Sequence, residues 1–137
     1  MYSLVDIIEF VKDKTGVEEV TAEADIENDL GCYGDDWDEL IQEYASRYQV
    51  DMSSYLWYFH TDEEGHSNSI GRAFFKAPYE RVTRIPVTPQ MFLDFANKGK
   101  WDIPYPPHTL PKRRYDILIN QILVVFFIAY AIYSCSK

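Results

Sequence analysis

The stretch from His60 to His66 contains the residue types that bind transition metals. It reads His-Thr-Asp-Glu-Glu-Gly-His, so two imidazoles flank three carboxylates. Zinc and nickel take such nitrogen and oxygen ligands. The spacing matches no standard metal motif, however, and a polar loop often has the same composition. The sequence therefore predicts no metal ligand, and a metal-binding protein centred on His60 and His66 remains an alternative.

The two cysteines, Cys32 and Cys135, lie more than a hundred positions apart and define no disulfide framework. Cys32 precedes a predicted helix, and a helix N-terminus can lower the pKa of a thiol. A catalytic thiol also needs a base, and no histidine lies near Cys32 in the sequence. We therefore predict no catalytic residue and no cofactor, and a protein that is not an enzyme.

The charge of the chain is divided between its two halves. Residues 1–66 contain 18 acidic and three basic residues, whereas residues 67–137 contain four and ten. The formal charge of −9 argues against a nucleic-acid partner, which requires the opposite sign. The halves either pair with each other or offer an acidic and a basic surface to separate partners.

Helical periodicity and capping residues predict three helices within the first hundred residues. The first begins at its N-cap Ser3 and ends at Gly16. The second covers residues 35–48 and has a broad apolar stripe. The third begins after the cap Thr88 and stops at Gly99. Between the second and third helices, residues 73–75 and 81–87 are predicted to form short strands or extended stretches around a turn at Ala77-Pro78.

The C-terminal stretch is predicted to cross a membrane. No charged residue occurs between residues 117 and 136, and a bilayer core of about 30 Å requires about 20 helical residues. Lys112, Arg113 and Arg114 precede this stretch directly, so the positive-inside rule predicts that the preceding domain is cytoplasmic. We expect a tail-anchored, single-pass protein of the inner membrane that contacts lipid through this helix. A buried core helix, favoured by the amides of Asn120 and Gln121, and a helix lying on the membrane surface are the alternatives.

Residues 29–31 (Asp-Leu-Gly) and 39–40 (Glu-Leu) resemble the surroundings of the attachment site in acyl carrier proteins. In those carriers, a serine at the start of the following helix accepts phosphopantetheine. Gly34 stands at the position of that serine, and glycine has no hydroxyl to form the phosphodiester. The resemblance implies a carrier-like helical fold without the prosthetic group. An active carrier modified at an atypical serine remains an alternative.

Residues 29–40 and 87–101 are similar to a family of small uncharacterised proteins from Gram-negative bacteria, catalogued as a domain of unknown function. Its members look like acyl-carrier-type helical domains that lack the prosthetic-group serine. We therefore predict a mainly α protein: an acyl-carrier-like helical bundle with a short extended or β insertion, followed by a hydrophobic helix. The domain is predicted over residues 1–103, a Pro-rich basic linker over 104–114 and the anchor over 115–137.

Carboxylates at the start and on the exposed side of the second predicted helix form a candidate partner-binding surface: Asp35, Asp36, Asp38, Glu39 and Glu43. True carriers use such a face to bind basic patches of partner enzymes. The resemblance therefore implies a non-enzymatic adaptor that binds an unidentified basic protein. A second, basic segment around Arg72, Lys76, Arg81 and Arg84 either touches anionic lipid headgroups or pairs with the acidic half.

Overall fold

The computed structural model describes residues 1–61 and 70–136, and five α-helices lie within these two ranges. They are α1 (Leu4–Thr15), α2 (Gly34–Tyr48), α3 (Ile70–Phe74), α4 (Pro89–Lys98) and α5 (Tyr115–Cys135). Two 3₁₀ turns cover Trp57–Phe59 and Pro78–Glu80. The described residues contain no strand, and one isolated bridge joins Asp51 to Lys100. The predicted mainly α class is confirmed.

Local capping chemistry sets the ends of the first and last helices of the domain. The Ser3 hydroxyl accepts a hydrogen bond from the Asp6 amide, and the Asp6 carboxylate accepts one from the Ser3 amide, which completes a capping box. Gly16 ends α1 with a φ of 73°, and Gly99 ends α4 with a φ of 83°. Glycine adopts this left-handed conformation without a steric penalty, so both predicted stops are confirmed.

Of the predicted extended or β insertion, the strand alternative is wrong. Residues 73–75 fall in and directly after α3, and residues 81–87 form no ladder. The Ile85 amide donates to the Phe59 carbonyl (2.7 Å), whereas the Val87 carbonyl accepts from the Ile26 amide (3.0 Å). Pro86, which lies between them, has no amide hydrogen to donate. The extended backbone therefore makes one hydrogen bond to the 3₁₀ turn at Phe59 and one to the loop at Ile26.

One face each of α1, α2 and α4 forms the core. Tyr44 of α2 stacks on Phe92 of α4 with ring centroids 4.1 Å apart, and its hydroxyl donates to the Phe92 carbonyl (2.6 Å). Trp101 lies directly after α4 and packs against Phe95 at 4.8 Å between ring centroids. Each fully buried large apolar side chain stabilises the fold by about 1.5–3 kcal/mol, so this aromatic cluster holds the three helices together.

The last helix, α5, leaves this core and contacts the domain only near its first turns in the described structure. There the Gly71 amide of α3 donates to the Asn120 side-chain oxygen (2.8 Å), and the Phe75 and Tyr115 rings lie 5.3 Å apart. Beyond Asn120 the large apolar side chains are mostly exposed. The alternative of a buried core helix does not describe α5.

Candidate functional site

His60 lies in the core and not on a metal-binding loop. Its Nδ1 donates to the Ile85 carbonyl (2.9 Å), because a carbonyl only accepts, and its Nε2 accepts from the Tyr105 hydroxyl (2.8 Å). Burial lowers the pKa of His60 to about 4, so the ring is neutral at pH 7. Both nitrogens are occupied, which leaves none for a metal. His66 lies outside the described residues, and no metal-binding group of three or more ligands occurs in the described ranges.

The residue that completes this hydrogen-bond network, Tyr105, falls in the predicted linker. Its hydroxyl also accepts from the Trp101 indole (2.8 Å) and from the Leu56 amide (3.3 Å). The next part of the predicted linker packs on the core as well, because the His108 ring lies 4.9 Å from the Phe59 ring. Sequence reasoning missed Tyr105, since its partners lie 45 or more positions away, apart from the nearby Trp101.

Cys32 is a buried thiol without the chemistry of a nucleophile. Burial, followed by the charges of Asp36 and Glu27, raises the pKa of its thiol to about 11. The helix N-terminus does not lower the pKa of this thiol, because desolvation and two nearby carboxylates act in the opposite direction. Cys135 is exposed near the end of α5.

The five carboxylates of the candidate partner-binding surface are all exposed, and they lie on the side of α2 opposite its buried residues. We call this surface the acidic face: Asp35, Asp36, Asp38, Glu39 and Glu43. Gln42 and Ser46 extend it without adding a positive charge. Partial burial and the nearby charge of Asp35 raise the pKa of Asp38. Burial is the larger cause of this shift, and repulsion by the neighbouring Asp35 carboxylate adds to it.

Most of the acidic face has no ion-pair partner among the described residues, and Arg47, the basic residue of α2, lies over the rings of Phe10 and Tyr48. Lys14 forms a salt bridge with Glu43, and no other ion pair reaches the face from the described residues. Arg84 instead forms two hydrogen bonds with Asp25 (2.6 and 3.2 Å) and lies 3.9 Å from Glu27. Among the described residues, the two halves of the chain thus pair at the loop before α2 and not on α2.

The basic residues before α5 form a second charged region. Lys112 and Arg113 are exposed, whereas Arg114 makes a two-bond contact with the buried Asp116 carboxylate (2.7 and 3.0 Å). The side chain of Arg72, part of the predicted basic segment, lies outside the described part of the structure. Lys112 and Arg113 are therefore exposed directly before the apolar helix and form no ion pair with any described residue.

Helix α5 is long and apolar enough to cross a membrane. Its 21 residues span about 32 Å at 1.5 Å per residue, and a bilayer core is about 30 Å thick. None of its most apolar window is buried against the domain. The described structure is thus a small helical domain followed by one exposed apolar helix.

The chain belongs to the family described as Protein of unknown function (DUF1493), which matches residues 2–103. The family prediction is confirmed at this level, and the match assigns no activity. Helix α5 lies outside the matched residues. No match was found among curated proteins or among solved structures. The resemblance to acyl carrier proteins therefore stays a prediction.

Proposed function

We propose that this protein is a membrane-anchored binding module that is not an enzyme. In this proposal α5 spans the inner membrane and holds the helical domain at its cytoplasmic side. The acidic face then recruits a basic protein to that surface. The observation that carries the proposal is the exposed apolar surface of α5, which the domain leaves uncovered.

The energetics of α5 favour a bilayer over water. The central residues of the helix are apolar and exposed: Val124, Val125, Phe126, Phe127 and Ile128. Each such residue favours insertion by about 0.3–0.6 kcal/mol at the centre of a spanning helix. Asn120 and Gln121 are the two amides near the start of the helix; the Asn120 side-chain oxygen already accepts from the Gly71 amide, and Gln121 is exposed. The Asn120 hydrogen bond lowers the cost of a position near the membrane surface.

The charges beside α5 support the proposed orientation. Lys112 and Arg113 are exposed directly before the helix, and cations near a spanning helix favour the cytoplasmic side. The bulk of the domain precedes these cations in the chain. The domain would therefore face the cytoplasm, with the C-terminal end of α5 on the other side of the membrane.

The uncompensated charge of the acidic face supports recognition of a basic partner. Four of its five carboxylates have no ion-pair partner among the described residues, and the fifth, Glu43, pairs with Lys14. Repulsion between these neighbouring carboxylates destabilises the free domain slightly. A partner with exposed lysines or arginines would relieve this repulsion, and complementary charges would raise its rate of association.

A carrier-like module without a prosthetic group is consistent with the start of α2. Gly34 is buried and has a φ of 55°, a left-handed conformation that favours glycine over serine. The position that bears the serine in carriers is thus occupied by a residue that the local backbone favours. We propose that the family resemblance concerns the helical fold and the acidic face, and not acyl transfer.

The proposal is tested by charge reversal on the acidic face in full-length protein purified from detergent-solubilised membranes. Asp35→Lys with Glu39→Lys should keep the domain folded, because both side chains are exposed and such changes usually alter stability by less than about 0.5 kcal/mol. The matched control is Glu18→Lys with Glu19→Lys, which makes the same charge change on an exposed loop.

The acidic-face variant should lose the proteins that co-purify with the wild type, whereas the loop control should keep them. The wild-type interaction should also weaken as salt is added. Equal recovery of the same partner by both variants would contradict a role for the acidic face. If no protein co-purifies with the wild type, the proposal of a binding module is contradicted.

A further inference from the structure

If α5 is a membrane anchor, the residues that pack on its first turns have a defined position relative to the bilayer surface. If α5 spans the bilayer, its length of about 32 Å barely exceeds the apolar core of about 30 Å. Its N-terminal turns, which include Asp116 and Asn120, must then lie at the cytoplasmic surface of the bilayer. Any element in contact with these turns lies at the same level.

Helix α3 is that element. The Gly71 amide donates to the Asn120 side chain (2.8 Å), and a Cβ atom at Gly71 would lie only 1.8 Å from the Asp116 carbonyl oxygen. The two backbones can approach this closely only because Gly71 has no side chain. Around this contact, Ile70, Phe74 and Phe75 are 56%, 71% and 40% exposed. Large apolar side chains at the level of the headgroups are stabilised when they enter the interface.

A basic cavity lies beside this contact. Residues 75–81 and 110–116, which are distant in the sequence, enclose a space of about 60 Å³. Its cationic lining consists of Lys76, Arg81, Arg113 and Arg114, against the single carboxylate of Asp116. Arg114 already satisfies that carboxylate through two hydrogen bonds. A space of this size suits a small anion such as one phosphate group better than a large organic ligand.

We propose that this cavity, together with the exposed apolar residues of α3, binds the phosphate of an anionic phospholipid in the cytoplasmic leaflet. The proposal rests on the membrane anchor proposed above. The lipid phosphate would lie among Lys76, Arg81 and Arg113, while Phe74 and Phe75 enter the headgroup layer. A lipid is favoured over a soluble phosphate because the apolar residues beside the cavity need an apolar environment. The domain is thereby held flat on the bilayer and not only tethered to it.

Charge sets the expected size of the effect. One Lys or Arg close to an anionic membrane surface changes affinity by about fivefold at low ionic strength. Lys76→Gln with Arg113→Gln removes two exposed cations from the cavity. The selectivity for anionic over zwitterionic lipid should fall by about 25-fold, so that little or no selectivity is left. The control variant Lys98→Gln with Lys100→Gln removes two exposed cations, one of them paired with Asp102, at the C-terminal end of α4, and it should keep the selectivity.

The test uses the full-length chain in vesicles of phosphatidylcholine. A fluorophore is attached at Phe74→Cys in a Cys135→Ser background, since the buried Cys32 is not accessible to label. Quenching is compared for equal fractions of spin-labelled phosphatidylglycerol and spin-labelled phosphatidylcholine. A second label at the exposed Ala73→Cys shows whether the result depends on the loss of Phe74. Carbonate extraction of the same vesicles reports on the anchor separately.

We expect quenching by both lipids, stronger quenching by phosphatidylglycerol, and loss of that preference only in the cavity variant. Equal quenching by the two lipids in wild-type protein would contradict the phosphate site. No quenching by either lipid would contradict the position of α3 at the surface. Binding of inorganic phosphate by wild-type protein that shows no preference between the two lipids would identify a soluble anion as the ligand, which also overturns the proposal. Protein released by carbonate would instead contradict the anchor.

Discussion

The contact between α3 and α5 depends on the absence of a side chain at Gly71, so Gly71→Ala should separate the two helices. The new Cβ would lie 1.8 Å from the Asp116 carbonyl oxygen and 2.7 Å from its carbonyl carbon. Both are backbone atoms, so rotation of a side chain cannot relieve the clash. The helices must move apart, and the hydrogen bond from Gly71 to Asn120 is lost.

The cost of the substitution combines two effects. Overpacking of this kind costs about 1–3 kcal/mol, and a hydrogen bond contributes about 0.5–1.5 kcal/mol. Together they give about 2–4 kcal/mol. Helix α3 has only five residues, and helices this short are unstable without tertiary contacts. Gly71→Ala should therefore unfold α3 locally and leave the core intact.

Hydrogen exchange in the full-length protein measures this local opening. Amides of residues 70–75 should exchange at least about 30-fold faster in Gly71→Ala, as expected from 2 kcal/mol or more. Asn120→Ala, which removes the hydrogen bond without the clash, should give about fivefold. Exchange around Trp37 and Trp101 should not change, because both side chains lie in the core. Unchanged exchange in residues 70–75 of Gly71→Ala would refute the packing of α3 on α5.

Three further variants test the core and the domain boundary. The pKa of His60 in the folded protein, about 4, lies below its unfolded value, so its contribution to stability is present above about pH 6.5 and lost toward pH 4. Urea unfolding should show that the free energy of unfolding falls by about 3 kcal/mol over this range, and this fall should be absent in His60→Gln. Arg84→Gln should lower the free energy of unfolding by about 1.5–3 kcal/mol in thermal melts, because the Asp25 carboxylate loses two charged hydrogen bonds, whereas Arg84→Lys should lose less. Truncation after Arg114 should give a soluble domain with the near-UV circular dichroism of the full chain, and an aggregated product would show that the core needs α5.

Features set by neighbouring residues were predictable from the sequence. The caps of α1 and α4 were predicted at Ser3, Gly16, Thr88 and Gly99, because capping depends on side chains within one turn. The exposure of the acidic face was also predictable, because it follows from the period of the apolar stripe on α2.

Features that depend on distant residues were not predictable. Residues 81–87 have the composition of a strand, but no neighbouring strand is present in the described structure to pair with them. His60 resembled a metal ligand because its partners, Ile85 and Tyr105, lie 25 and 45 positions away. The basic cavity likewise joins two segments about 30 positions apart, which composition alone does not bring together.

Alkaline carbonate extraction of cell membranes tests the membrane anchor most directly. Full-length protein should stay in the membrane pellet. Val125→Arg with Phe127→Arg should move it to the soluble fraction, because each central arginine costs about 2.5–3.5 kcal/mol of insertion free energy. Val125→Leu with Phe127→Leu, which keeps the helix apolar, should behave as the wild type. Release of the wild-type protein by carbonate would contradict the account.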